Sequence, residues 1–193
     1  MEKTLLRRSV LLLCGVIFLA SIGCEESLKQ SAGGETYYLR YNFHYTTEKG
    51  QAKGSIANYT NMTAHMILPY GSQVRVESDG SKAFILVDQK SGRKIEVLAP
   101  SKFLAGKSLS EYLDLILSKT PVSYTGLSEI DMKGISEGKP YNGMSKKGVM
   151  IALGYPCPHM TPSPDADVWY YWKNRFAYYA VNFENGIVVS NGY

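Results

Sequence analysis

Residues 168–190 read VWYYWKNRFAYYAVNFENGIVVS. Residues 168–173 and 176–184 are rich in aromatic and β-branched side chains and read as two strands. Asn185-Gly186 supplies the favoured two-residue hairpin turn, and the chain returns through residues 187–190. With that turn length Phe183 faces Val188 on one side of the sheet, and Ile187 and Val189 fall on the other. Just upstream, Ser145 can cap a helix over residues 146–153, apolar at Val149, Ile151, Ala152 and Leu153 and stopped by Gly154. Pro156, Pro158, Pro162 and Pro164 make the connection to the first strand stiff and extended.

Further out the pattern changes. Residues 126–141 are polar and broken by glycine, with Leu127, Ile130 and Ile135 at the loose spacing of a short helix. Residues 108–119 have a clear helical face: Leu109, Tyr112, Leu113, Ile116 and Leu117. Ser108 with Glu111 forms a capping box at its start, and Pro121 follows its end. Residues 37–100 read as all β, with runs at 37–45, 55–68, 73–77, 83–88 and 94–98. Gln73 to Glu77 alternates strictly, so one face is buried and the other wet. Turn residues at 69–71, 78–81 and 89–93 separate the runs. Four or five short strands at this spacing suggest a small, curled, barrel-like sheet.

The start of the chain reads as an export signal. Lys3, Arg7 and Arg8 precede an uncharged run over residues 10–20, too short for a spanning helix of about 20 residues and right for a signal core of about 7–15. Ala20-Ser21-Ile22-Gly23 and then Cys24 resemble a lipobox, with Ser21 where Leu is usual. Cleavage before Cys24 and lipid on its thiol are therefore expected, since two or three acyl chains anchor durably where one does not. Glu25 follows, where an Asp would favour inner-membrane retention, so the expected location is the outer membrane, facing the periplasm. Residues 24–35 (CEESLKQSAGGE) form a flexible spacer.

Gly143-Met144-Ser145-Lys146, a helix ending Leu153-Gly154-Tyr155-Pro156, then Trp169-Tyr170-Tyr171-Trp172 and Val181-Asn182-Phe183-Glu184-Asn185-Gly186 together resemble the SmpA/OmlA family. That family includes a small lipoprotein of the outer-membrane β-barrel assembly machine. The resemblance covers residues 127–193 and implies two helices packed on a three-stranded antiparallel sheet. Members of that type are short, whereas this chain carries about 90 further residues between Glu35 and Gly126. The expected fold is thus α+β: a signal at 1–23, the spacer at 24–35, a small β-rich, barrel-like region at 36–100, a linking helix at 101–126, and an SmpA/OmlA-like domain at 127–193.

Without residues 1–23, Lys+Arg falls from 21 to 18 and Asp+Glu from 17 to 16, a net charge of +2. Near-neutral charge with no basic run argues against nucleic acid as a partner. Only Cys24 and Cys157 then remain, and an acylated Cys24 leaves no intrachain disulfide.

Chemistry-bearing constellations are sparse. Cys157 and His159 flank Pro158, and an extended backbone puts both on one side, but nothing resembling a catalytic signature surrounds them. His44 and His65 lie in no metal-ligand spacing. Asp165 and Asp167 read as turn caps. Neither a metal nor a cofactor is expected, and the chain is read as no enzyme. What remains is tyrosine: 15 Tyr against 6 Phe. Tyr and Trp make rigid, amphipathic contact surfaces, so Tyr170, Trp172, Tyr178 and Tyr179, with Ile187 and Val189 on the last strand, are candidate partner-binding residues. The expected function is a protein-interaction or scaffolding module, membrane-held through Cys24 and bound to an envelope protein. The alternatives are a module for cell-wall glycan or lipid and, third, a Cys157-dependent enzyme.

Overall fold

The computed structural model describes residues 34–77 and 82–193. The export signal, Cys24 and the expected turn at 78–81 lie outside the described residues. Within the described residues eleven strands and three α-helices follow one another: β1 (Thr36–Leu39), β2 (Phe43–Glu48), β3 (Gln51–Ser55), β4 (His65–Leu68), β5 (Gln73–Glu77), β6 (Ala83–Asp88), β7 (Lys94–Leu98), α1 (Leu109–Ile116), β8 (Leu117–Ser118), α2 (Glu129–Glu137), α3 (Lys146–Leu153), β9 (Val168–Asn174), β10 (Ala177–Glu184) and β11 (Ile187–Asn191).

The first eight strands form one sheet in the order β4-β2-β3-β7-β6-β5-β1-β8, antiparallel except for the β3–β7 pair. Connectivity forces this sheet to curl. β1 and β2 are five strand spacings apart in the order, about 24 Å in a flat sheet. Only Arg40, Tyr41 and Asn42 join them, and four residue steps span at most about 14 Å. The concave side holds the main core: Leu39, Phe43, Val74, Phe84, Leu86, Ile95 and Val97 from the strands, closed by Leu109, Tyr112, Leu113 and Ile116 of α1. The Ser108–Glu111 capping box is formed at the start of α1.

A second core joins the rest. One face of the β11-β10-β9 sheet buries Trp169, Tyr171, Tyr179, Val181, Phe183 and Val188 with Ile135, Met144, Val149, Ile151 and Leu153. The hairpin turn sits at Asn185-Gly186, both at positive φ, and Phe183 pairs with Val188. Asp131, buried in α2, ties the helix starts together. It accepts from Ser128 N–H at 3.0 Å and from Ser145 N–H at 2.8 Å, so one carboxylate sits where two helix dipoles favour negative charge. A Cβ at Gly148 would overlap that carboxylate.

The expected α+β class is corrected by these elements. The chain is mostly β, an eight-stranded curled mixed sheet plus a three-stranded sheet, and its helices have only eight or nine residues. Two expected runs break for tertiary reasons. Run 37–45 splits at residues 40–42, where Arg40 N–H donates to Ile116 O and Asn42 N–H to Ile151 O. Run 55–68 splits because Ile56, Ala57, Asn58 and Thr60 are buried in a loop and not a strand. The expected linking helix is α1, whose apolar face closes the large sheet. Nor do two helices lie on a three-stranded sheet as a separate layer, because the C-terminal turn of α3 runs onto β2 of the large sheet.

Candidate partner-binding groove

The final turn of a helix leaves carbonyls without partners inside the helix. At the end of α3 the large sheet supplies them. Asn42 N–H donates to Ile151 O at 2.8 Å, His44 Nε2 to Ala152 O at 2.8 Å, and Asn58 Nδ2 to Leu153 O at 2.6 Å. The Asn42 side chain also donates to Ile135 O of α2 at 2.7 Å and accepts from Tyr70 N–H at 3.0 Å. Asn58 Oδ1 accepts from His44 N–H at 2.8 Å. All three side chains are buried, so each bond replaces water that cannot reach these groups.

The histidines belong to this seam. A carbonyl only accepts, so His44 carries its proton on Nε2. Its Nδ1 is then an acceptor, and His65 Nε2 donates to it at 2.8 Å. Burial pushes His44 down to about 4. Burial, and then nearby Lys139, lowers His65 as well. Both rings are therefore neutral at pH 7 and serve as structural bridges.

Beside the seam lies an open groove of about 750 Å³. Ile67, Pro69 and Tyr70 line it from the large sheet, and Leu127, Met132 and Ile135 from α2 and its lead-in. Tyr124 stands against Tyr70 with ring centroids 5.7 Å apart, and its hydroxyl donates to Arg40 O at 2.9 Å. Met132 is 54% exposed, so this apolar lining is open to water.

The groove reaches the free edge of the large sheet at Ile67. β4 is its terminal strand. Thr47 N–H donates to Ala64 O, so in this register Tyr45–Met66 and Phe43–Leu68 are the hydrogen-bonded pairs. The N–H and C=O groups of His65 and Ile67 then point away from β2. No hydrogen bond among the described residues reaches them. An unpaired edge is a template for another strand.

The six hairpin residues singled out by sequence do not form one face. Tyr179 is buried, its hydroxyl 3.2 Å from Thr60 Oγ1, so it is corrected from docking residue to core residue. Tyr170, Trp172 and Tyr178 share the outer face of the β9–β10 pair, with Tyr178 5.7 Å from Trp172 and 6.0 Å from Tyr170 between ring centroids. Ile187 and Val189 are exposed on β11, one strand beyond, where Val189 is the extra residue of a bulge. Among the described residues the Trp172 indole nitrogen is buried without a partner.

Cys157 and His159 part company too. The thiol is buried, and burial pushes it up to about 12, far from a nucleophilic thiolate at neutral pH. His159 is at the surface, 5.3 Å from the Phe103 ring and stacked at 6.2 Å on Trp172. Asp165 and Asp167 hold turn positions near Lys146, whose Nζ donates to Asp165 O at 2.8 Å. No three of the described His, Cys, Asp and Glu residues group as metal ligands.

Sequence reasoning missed Asn42, Asn58, Asp131 and the groove. An amide inside the aromatic run 37–45 is the one signal for Asn42. Asn58, between Ala57 and Tyr59, gives none. No family model matches this chain, and no curated protein and no solved structure matches it.

Proposed function

We propose that this chain is a non-catalytic, lipid-anchored module of the outer membrane, facing the periplasm, that binds an extended segment of another envelope protein. The observation that carries the reading is the free edge of β4, whose Ile67 lines an apolar groove. An added strand would take its main-chain hydrogen bonds from His65 and Ile67, and its alternate side chains would enter between Tyr70, Leu127 and Met132. Specificity then comes from the groove and affinity from the ladder. The anchor rests on the sequence around Cys24, and mass spectrometry of the mature amino terminus tests it. The buried Cys157, unpaired with His159, lends no support to a thiol-dependent enzyme.

The docking site is tested with a photo-crosslinking residue at Met132 or, as a control, at exposed Leu98. An envelope-protein adduct is expected from 132 and not from 98. Ile67→Pro removes an outward N–H while leaving the bonds to β2 in place, so it should abolish the adduct in a chain that still folds. Equal adducts from both positions, or an adduct indifferent to Ile67→Pro, would sink the reading.

A further inference from the structure

The outer end of the β9–β10 hairpin differs from the groove in shape and charge. Register makes Arg175-Phe176 its two-residue turn, with Ala177 opposite Asn174 and Tyr178 opposite Trp172. Phe176 is 80% exposed and Tyr178 57%. The Arg175 guanidinium lies 4.5 Å from the Phe176 ring centroid. Half-buried Trp172 packs edge-on against the buried Phe103, 5.8 Å away, and Lys102 Nζ stands 4.8 Å over that ring. Between Asp167 and Glu184 the chain holds eight aromatic residues, Lys173 and Arg175, and no carboxylate. Between Glu96 and Glu111 it holds Lys102 and Lys107, again with no carboxylate.

A turn with a bare phenylalanine, a Tyr and Trp behind it and only positive charge in its own segment has the chemistry of a bilayer interface. Aromatic rings settle at the headgroup level, and Lys and Arg are drawn to anionic lipid while their stems cover apolar surface. We propose that this hairpin end rests on an anionic lipid surface and orients the domain against the membrane that holds its anchor. The proposal rests on the lipid-anchor reading and not on the groove. Cys24 stands ten residues before Gly34, a tether of at most about 35 Å. A domain of this size has a radius of gyration of about 15 Å, so that tether lets the hairpin reach the bilayer. A convex, carboxylate-free tip has no pocket for a peptide, and its charge complements phosphate headgroups.

The test is sedimentation of the mature chain, residues 24–193 carrying Cys24→Ser and so with neither lipid nor export signal of its own, with phosphatidylcholine vesicles and with vesicles containing about 30% phosphatidylglycerol. Binding to the anionic vesicles is expected, roughly tenfold weaker for Arg175→Glu and for neutral vesicles. Phe176→Ser should weaken it by a similar factor, and since both positions are exposed turn residues the variants should keep the fold, checked by circular dichroism. Trp172→Phe would show, by loss of fluorescence quenching from brominated lipid, that the signal arises at this face and not at buried Trp169. No vesicle binding, or equal binding to neutral and anionic vesicles, overturns the proposal. A photo-crosslinker at Phe176 that captures protein instead of lipid overturns it too, by assigning the face to a protein partner. The anchor reading fails separately, if Cys24 is found unmodified in the mature chain.

Discussion

Inside the curled sheet, Phe84, Leu86, Ile95 and Val97 meet α1 through apolar contacts alone. Where the same sheet meets α2 and α3, the contacts are Asn42, His44 and Asn58 on helix carbonyls. Apolar packing is non-directional and tolerates small shifts. A buried amide on a carbonyl does not, because either partner left alone costs the full desolvation of that group. The core thus supplies stability to each half, and the seam fixes how the halves sit. That fixed seating keeps α2 at a set distance from β4 and so defines the groove.

Four experiments probe that contrast, in order of expected effect. Phe84→Ala should remove about 3–5 kcal/mol, as large-to-small changes in cores do, read as a lower urea midpoint. Acid should act on the seam. The unfolded state binds protons at His44 from about pH 6.5 downward and the folded state only near 4. The seam's contribution is therefore full above about pH 6.5 and lost as pH falls, by about 3 kcal/mol below pH 4. His44→Gln, which keeps a donor for Ala152, should flatten the part of that fall lying above the carboxylate range.

Asn58→Ala should cost about 2–3 kcal/mol, since Leu153 O and His44 N–H lose their partner. It should also split one calorimetric transition into two. An unsplit transition at an unchanged midpoint would show that the seam does not couple the halves. Tyr112→Phe is the mildest, at about 1 kcal/mol. It deletes a hydroxyl that donates to Ile56 O at 3.0 Å inside the apolar core. A larger loss there than for Asn58→Ala would reverse the comparison.

The sequence was most legible where a local rule acts alone. β5, β6 and β7 span the expected residues, because alternation and turn residues define them. The helix at 146–153 falls between Ser145 and Gly154 as its caps require. Aromatic runs misled. Residues 37–45 look like one strand, but burial on both sides of the 40–42 corner makes them two. His44 and His65 looked unrelated at 21 residues apart, and only the β2–β4 pairing puts one ring against the other. Asp131 drew no notice in the sequence, and its carboxylate caps the start of α2 while tying down the start of α3.

The amino-acid sequence by itself determined the helix caps, the Asn185-Gly186 turn and the Phe183–Val188 pairing, since each depends on residues within a few positions of one another. Tertiary structure decided the rest. The eight-stranded order, the seam and the groove beside β4 all join residues tens of positions apart. No local periodicity encodes such pairings, because they form only when the sheet curls and the carbonyls at the end of α3 find their donors.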